Sequence, residues 1–135
     1  MFGDSHTTEL ILTLVEFGQV WNKELQEHVS PRIVENADLI VLMELALEGP
    51  KRPTELRQRT RLSSGGMSKL VDRLEEAGLV SRDRRPIDND KRAVVIELTE
   101  EGVKQVDLLT AATMEILNSE PELIKGIRRL LEAIG

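Results

Sequence analysis

Six residues near the middle of this 135-residue chain have the types and spacing to hold phosphate: Ser63, Ser64, Gly65, Gly66, Ser68 and Lys69. Ser63 and Ser64 open a stretch of helical periodicity. They therefore stand at a helix N-terminus, where free backbone N–H groups and the helix dipole attract anions. Gly65 and Gly66 place no side chain between the backbone and whatever approaches it. Glycine in a helix costs about 0.5–1 kcal/mol relative to alanine. Two in one turn therefore ask for a reason, either close approach of a ligand or a flexible helix start without a role. Ser68 and Lys69 lie on the face opposite Leu70 and Leu74, where they can meet base edges or phosphates. Arg73 has two roles open to it, a phosphate contact or a pair with Asp72 or another nearby acid.

The charge around these residues is uneven. The chain as a whole carries −6, but residues 50–92 hold twelve Lys and Arg against seven acids, a local +5, and the remainder carries −11. Screening confines charge effects to about 8–10 Å at physiological salt, so the local balance is what a polyanion meets. A solvated mixed-charge surface is the alternative reading of the same pattern.

Other chemistries find little support. With no cysteine, disulfides, thiolate metal sites and thiol redox sensing are excluded, and the composition is compatible with a reducing cytoplasm. His6 and His28 are isolated, and no nucleophile–base set, phosphate-cradling glycine loop or metal-ligand cluster is visible. The expectation is a protein that is not an enzyme and needs no cofactor or metal. No apolar run is long enough to span a membrane. Residues Met1 to His6 lack the pattern of a secretory signal.

The elements that must position these residues follow from periodicity. Leu10, Leu14, Phe17, Trp21 and Leu25 form one helical stripe within a helix over about Ser5 to His28. Ser30-Pro31 reads as an N-cap with Pro at the first helical position. Asn36 can cap a second helix, apolar nearly all round and therefore buried, which Gly49-Pro50 ends. A short helix, Pro53 to Thr60, has Leu56 as its core anchor. A longer one, Ser63 to Ala77, has Ser63 as N-cap and Gly78 as its stop. Three residues link them, which is the helix-turn-helix pattern. The period then becomes two. Leu79 to Arg82 reads as a short strand, and Val94, Ile96 and Leu98 alternate along a second. Asp83 to Arg92 makes a long polar tip between them. Thr99 can cap the next helix, and Ser119-Glu120-Pro121-Glu122 has the spacing of a capping box opening a last one, striped by Leu123, Ile127, Leu130 and Ile134. The fold expected is mainly α with a small β-hairpin: a winged helix-turn-helix with helices at both ends of the chain.

The segments Arg52-Pro53-Thr54-Glu55-Leu56, Leu62 to Glu75 and Ala77 to Arg82, with the run Asp90-Lys91-Arg92 through Glu97-Leu98-Thr99-Glu100-Glu101-Gly102, resemble the MarR family of bacterial transcriptional regulators. The motif resemblance covers about residues 52–102. Two residues depart from it: Arg61 stands where many relatives have Gly in the turn, and Arg57 where Ala is usual.

The resemblance implies one domain over 1–135, with dimerisation helices at 1–35 and 103–135 and a DNA-binding lobe at 36–102. It implies a cytoplasmic homodimer binding a pseudo-palindromic operator in double-stranded DNA, acting as a repressor. The helix from Ser63 enters the major groove. Arg92 reaches toward the minor groove, Asp90 orients an arginine, and Arg84, Arg85 and Lys91 add phosphate attraction. Leu10, Leu14, Leu123, Ile127, Leu130 and Ile134 pack across the two-fold axis. Many relatives bind a small aromatic or anionic ligand, and here Phe17, Trp21, His28 and Arg32 could line its pocket. For Trp21 a place in the core or an interface is the competing assignment. A winged helix used to bind a protein instead of DNA is the competing function, supported by the overall acidity.

Overall fold

The computed structural model describes residues 5–28, 31, 33, 35–87 and 91–134. The side chains at 5, 6, 26, 28, 85–87, 91, 92 and 134 lie outside that description. In chain order the elements are α1 (Ser5–His28), α2 (Asn36–Glu48), α3 (Pro53–Thr60), α4 (Ser64–Glu76), β1 (Val80–Ile87), β2 (Lys91–Leu98), α5 (Glu100–Ser119) and α6 (Pro121–Ile134). The molecule is mainly α with one antiparallel hairpin. It divides into two compact units, Ser30–Asp107 and the two ends Met1–Val29 with Leu108–Gly135.

The central unit is built on Val41, Leu42 and Leu45 of α2, Leu56 of α3, Met67, Leu70, Val71 and Leu74 of α4, and Leu79, Val80 and Ile96 of the hairpin. All are nearly or wholly removed from water, and each such side chain stabilises the fold by about 1.5–3 kcal/mol. The apolar positions of α4 recur at three and four residues, so one stripe meets this core while the other face stays in solvent. Gly78, at φ +77°, ends α4 in the left-handed region, and its neighbour Leu79 donates its N–H to the Leu74 carbonyl at 2.9 Å.

The hairpin pairs Val80 with Leu98, Arg82 with Ile96 and Arg84 with Val94. It is longer than the sequence suggests. β1 runs to Ile87 and β2 starts at Lys91, so residues expected in a loose tip belong to the strands. Backbone pairing continues past the core because it needs no apolar side chains. Lys51 exchanges two backbone bonds with Ile96, at 3.0 and 2.7 Å, and so attaches the segment before α3 to the hairpin. Thr99 caps α5 as expected, accepting the Gly102 N–H at 3.0 Å, and its own hydroxyl donates to the Gly78 carbonyl. Gly102 sits so close to the Leu79 carbonyl that a Cβ would collide with it.

Three expected helix starts differ. Pro31 lies in a turn, not at the head of a helix, and Ser30 is outside the described residues. The cap of α2 is Glu35, not Asn36. The carboxylate of Asp38 accepts the Glu35 N–H at 3.1 Å, which closes the first turn from inside the helix. Ser119 is the last residue of α5 and donates its hydroxyl to the Ile116 carbonyl, so it does not cap α6. Nor is α2 buried all round, since Leu47 is 75% exposed.

In the end unit, α1 packs on α6 with Gly126 against Thr13, where a Cβ would come within 2.9 Å of the threonine hydroxyl. The Trp21 indole N–H donates to Thr113 Oγ1 at 3.1 Å. Leu25, Leu109, Ala112, Ile116 and Leu123 are buried there. Ile11, Leu12, Leu14 and Val15 of α1, with Leu108, Met114 and Leu131, remain about half exposed or more.

Candidate nucleic-acid interface

The turn between α3 and α4 sets how the second helix is presented. Arg61 adopts φ 61° and ψ 20°, a left-handed conformation that ordinarily favours glycine. The turn therefore keeps a glycine-like geometry without the glycine. Two bonds hold it. Arg57 donates from Nε to the Leu62 carbonyl at 2.9 Å, and the Thr60 hydroxyl donates to the Leu56 carbonyl at 3.0 Å. Arg57, which stands where the family usually has Ala, is a brace for the turn.

At the start of α4 the Ser63 hydroxyl accepts the Gly66 N–H at 3.0 Å. Ser64, Gly65, Ser68 and Lys69 follow on its solvent face, all exposed. The two glycines differ. A Cβ at Gly66 would press to 3.2 Å from Ser63 Oγ and 3.6 Å from Leu62 Cβ, whereas one at Gly65 would meet no atom within 4 Å. The fold itself gives a reason for the first glycine and none for the second.

Of the two roles open to Arg73, the structure shows pairing. Its guanidinium donates to Asp38 Oδ1 at 2.9 Å, and Glu35 lies 3.9 Å away. Asp38 is fully buried, and the same carboxylate closes the first turn of α2 through its other oxygen. The pair ties α4 to α2 and is a positioning contact, which removes Arg73 from the freely presented cations. Asp72 turns instead to Arg82, Nη2 to Oδ1 at 2.7 Å, and the same guanidinium reaches Glu75 Oε1 at 2.7 Å. The hydrogen bond that Arg82 donates to Asp72 is the main influence raising the Arg82 pKa above its usual range. Neither Asp38 nor Arg82 stood out in the sequence as a site residue. An acid three residues into a largely apolar helix was the signal for Asp38, and Glu44 in the same helix shares it.

On the hairpin, the Arg84 side chain is exposed. The side chains of Arg85, Lys91 and Arg92, and the whole of Asp90, lie outside the described residues. Among the residues considered for a small ligand, Trp21 is engaged with Thr113 and Phe17 is half-buried. The His28 side chain and Arg32 fall outside the description. Of the residues considered for a dimer contact, Leu14 is 57% exposed, Leu10, Ile127 and Leu130 are half-buried, and the Ile134 side chain is not described. Leu123 is buried within the single chain and so is already used by the core. Among the described residues no cluster of His, Asp or Glu suits a metal ion, and no helix is long and apolar enough to cross a membrane.

A helix-turn-helix leading into a paired hairpin is the architecture of a winged helix, and a model of the MarR family matches residues 34–93. The chain belongs to the MarR family. This MarR-family chain is 31% identical over 106 residues to the HTH-type transcriptional repressor YetL of Bacillus subtilis (strain 168), an alignment covering 77% of the chain and 62% of YetL. It spans 49% to 63% of the lengths of the first three curated relatives it matches. Its fold is that of RV1404 from Mycobacterium tuberculosis, with TM-score 0.79, 19% identity and coverage of 100% and 96% of the two chains. It is likewise that of NadR in complex with 4-hydroxyphenylacetate, with TM-score 0.67, 21% identity and coverage of 99% and 92%. At those identities the likeness to the two structures is one of fold. The first three curated relatives are named as HTH-type transcriptional regulators or repressors.

Proposed function

We propose that this protein is a cytoplasmic, sequence-specific DNA-binding regulator of the repressor type, acting as a homodimer on a pseudo-palindromic operator. The single observation that carries the proposal is the solvent face of α4. It offers Ser64, Gly65, Ser68 and Lys69 beside a helix N-terminus, and it holds a glycine the fold does not need. Ser63, Ser64, Gly65, Gly66, Ser68 and Lys69 face the major groove. The wing brings Arg84, Arg85, Lys91 and Arg92 to the adjacent minor groove and backbone, with Asp90 orienting an arginine.

Dimerisation is supported by the apolar side chains of α1, α5 and α6 that one chain leaves in water. Leu14 is one of them, and we assign the half-buried Leu10, Ile127 and Leu130, with Ile134, to the same contact. A small aromatic anion as effector is supported by the complex of NadR with 4-hydroxyphenylacetate. Calorimetric titration with such acids tests it.

The decisive experiment is selection of bound sequences from a random duplex pool, followed by a salt titration. Enrichment of an inverted repeat with half-sites about one helical turn apart supports the proposal. No enrichment, with no binding in dilute buffer, overturns it and favours a protein-binding winged helix.

A further inference from the structure

Asp72 shares the outward stripe of α4 with Gly65, Ser68 and Lys69, one turn beyond the lysine. An acid at that place repels phosphate unless its charge is met. Arg82 meets it. Residues 80, 82 and 84 lie on one face of β1, and Arg82 stands directly across from the fully buried Ile96. Its stem therefore leaves the hairpin on the side that packs against α4. Its two terminal nitrogens then end 2.7 Å from Asp72 Oδ1 and 2.7 Å from Glu75 Oε1. One cation thus grips two carboxylates spaced three residues apart on the same helix, in a forked geometry that arginine makes and lysine cannot.

We propose that Arg82 is a positioning residue for nucleic acid: it fixes the root of the wing to the recognition helix and cancels the two acids that this helix would otherwise turn toward the duplex. The proposal rests on the DNA-binding reading for its second half only. An isolated exposed ion pair contributes little to stability. The gain claimed here is in geometry and local potential, and the test must read those.

Four full-length proteins decide it: native, Arg82→Gln, Asp72→Asn/Glu75→Gln, and the triple variant. Without DNA, Arg82→Gln should speed hydrogen exchange of hairpin amides between Asp83 and Val95 by about tenfold while α4 core amides hold. Unchanged hairpin exchange overturns the coupling. With the selected operator, Arg82→Gln should lower affinity about tenfold in the native background and under about threefold once both acids are neutral. Equal losses in both backgrounds would mean that Arg82 touches phosphate itself, which overturns the cancelling role. If the native protein binds no duplex, the exchange data still decide the coupling, and the DNA-binding reading falls alone. Should Arg82→Gln not fold, Arg82→Lys keeps the charge but loses the fork. It should then give hairpin exchange faster than native, and native rates would overturn the proposal.

Discussion

A methyl group at position 65 would find open space around it, so nothing in the protein opposes Gly65→Ala. Alanine in a helix is favoured over glycine by about 0.5–1 kcal/mol, and Gly65→Ala should raise the melting temperature slightly or leave it unchanged. If α4 presses its first turn against a duplex, the same methyl lowers operator affinity. Melting and anisotropy titrations on one preparation check both arms. Equal affinity would return Gly65 to the status of a loose helix start. Arg61 supplies a second residue-scale prediction. A left-handed conformation costs an L-residue about 1–2 kcal/mol, and glycine gives back part of that through the unfolded chain. Arg61→Gly should therefore stabilise the protein by about 0.5–1 kcal/mol in urea unfolding. A loss of stability would show that the arginine side chain contributes something the turn geometry does not.

α4 is held from two sides at the level of elements, by Arg73 against α2 and by Arg82 from β1. The Arg73 pair is asymmetric, since Asp38 is fully buried while the arginine side chain is 38% exposed. Arg73→Met strands a carboxylate without its cation in the interior and should cost about 3–5 kcal/mol. Asp38→Asn leaves a guanidinium that can still reach water, and should cost about 1–3 kcal/mol. Denaturant titrations give the order, and the reverse order would mean that the α2 cap, not the ion pair, dominates at Asp38. Gly102→Ala sets a methyl against the Leu79 carbonyl and should destabilise by several kcal/mol, of the size seen when buried backbone must shift. Much of this architecture was legible in the sequence. The helix-turn-helix, the stop at Gly78 and the Ser63 and Thr99 caps could all be read from spacing and residue type, because each is a local rule. The reach of the hairpin could not, because periodicity records burial and the outer hairpin buries little. The Arg73–Asp38 pair was illegible for a different reason. Periodicity says which residues face inward, but not which of them meet across 35 positions of chain.

The whole molecule sets an electrostatic contradiction that binding must resolve, since each chain carries −6 while the segment proposed to meet DNA carries +5. Arg73 and Arg82 are occupied by acids and should release no counterions. With Lys69, Arg84, Arg85, Lys91 and Arg92 as the proposed contacts, about ten for a dimer, a slope of log K against log salt of about −7 to −9 follows. That slope should hold between roughly 100 and 300 mM, where the screening length is under about 10 Å and acids farther off than that are not felt. Below roughly 30 mM the screening length grows toward the size of the protein, and the negative remainder begins to repel the duplex. The plot should then flatten, and association should not accelerate as it does for a basic protein. Anisotropy titrations across both ranges, with stopped-flow association at the low end, measure this. A straight line down to 10 mM would show that the negative remainder does not reach the DNA. A slope near zero throughout would show that the positive segment faces something other than a polyanion.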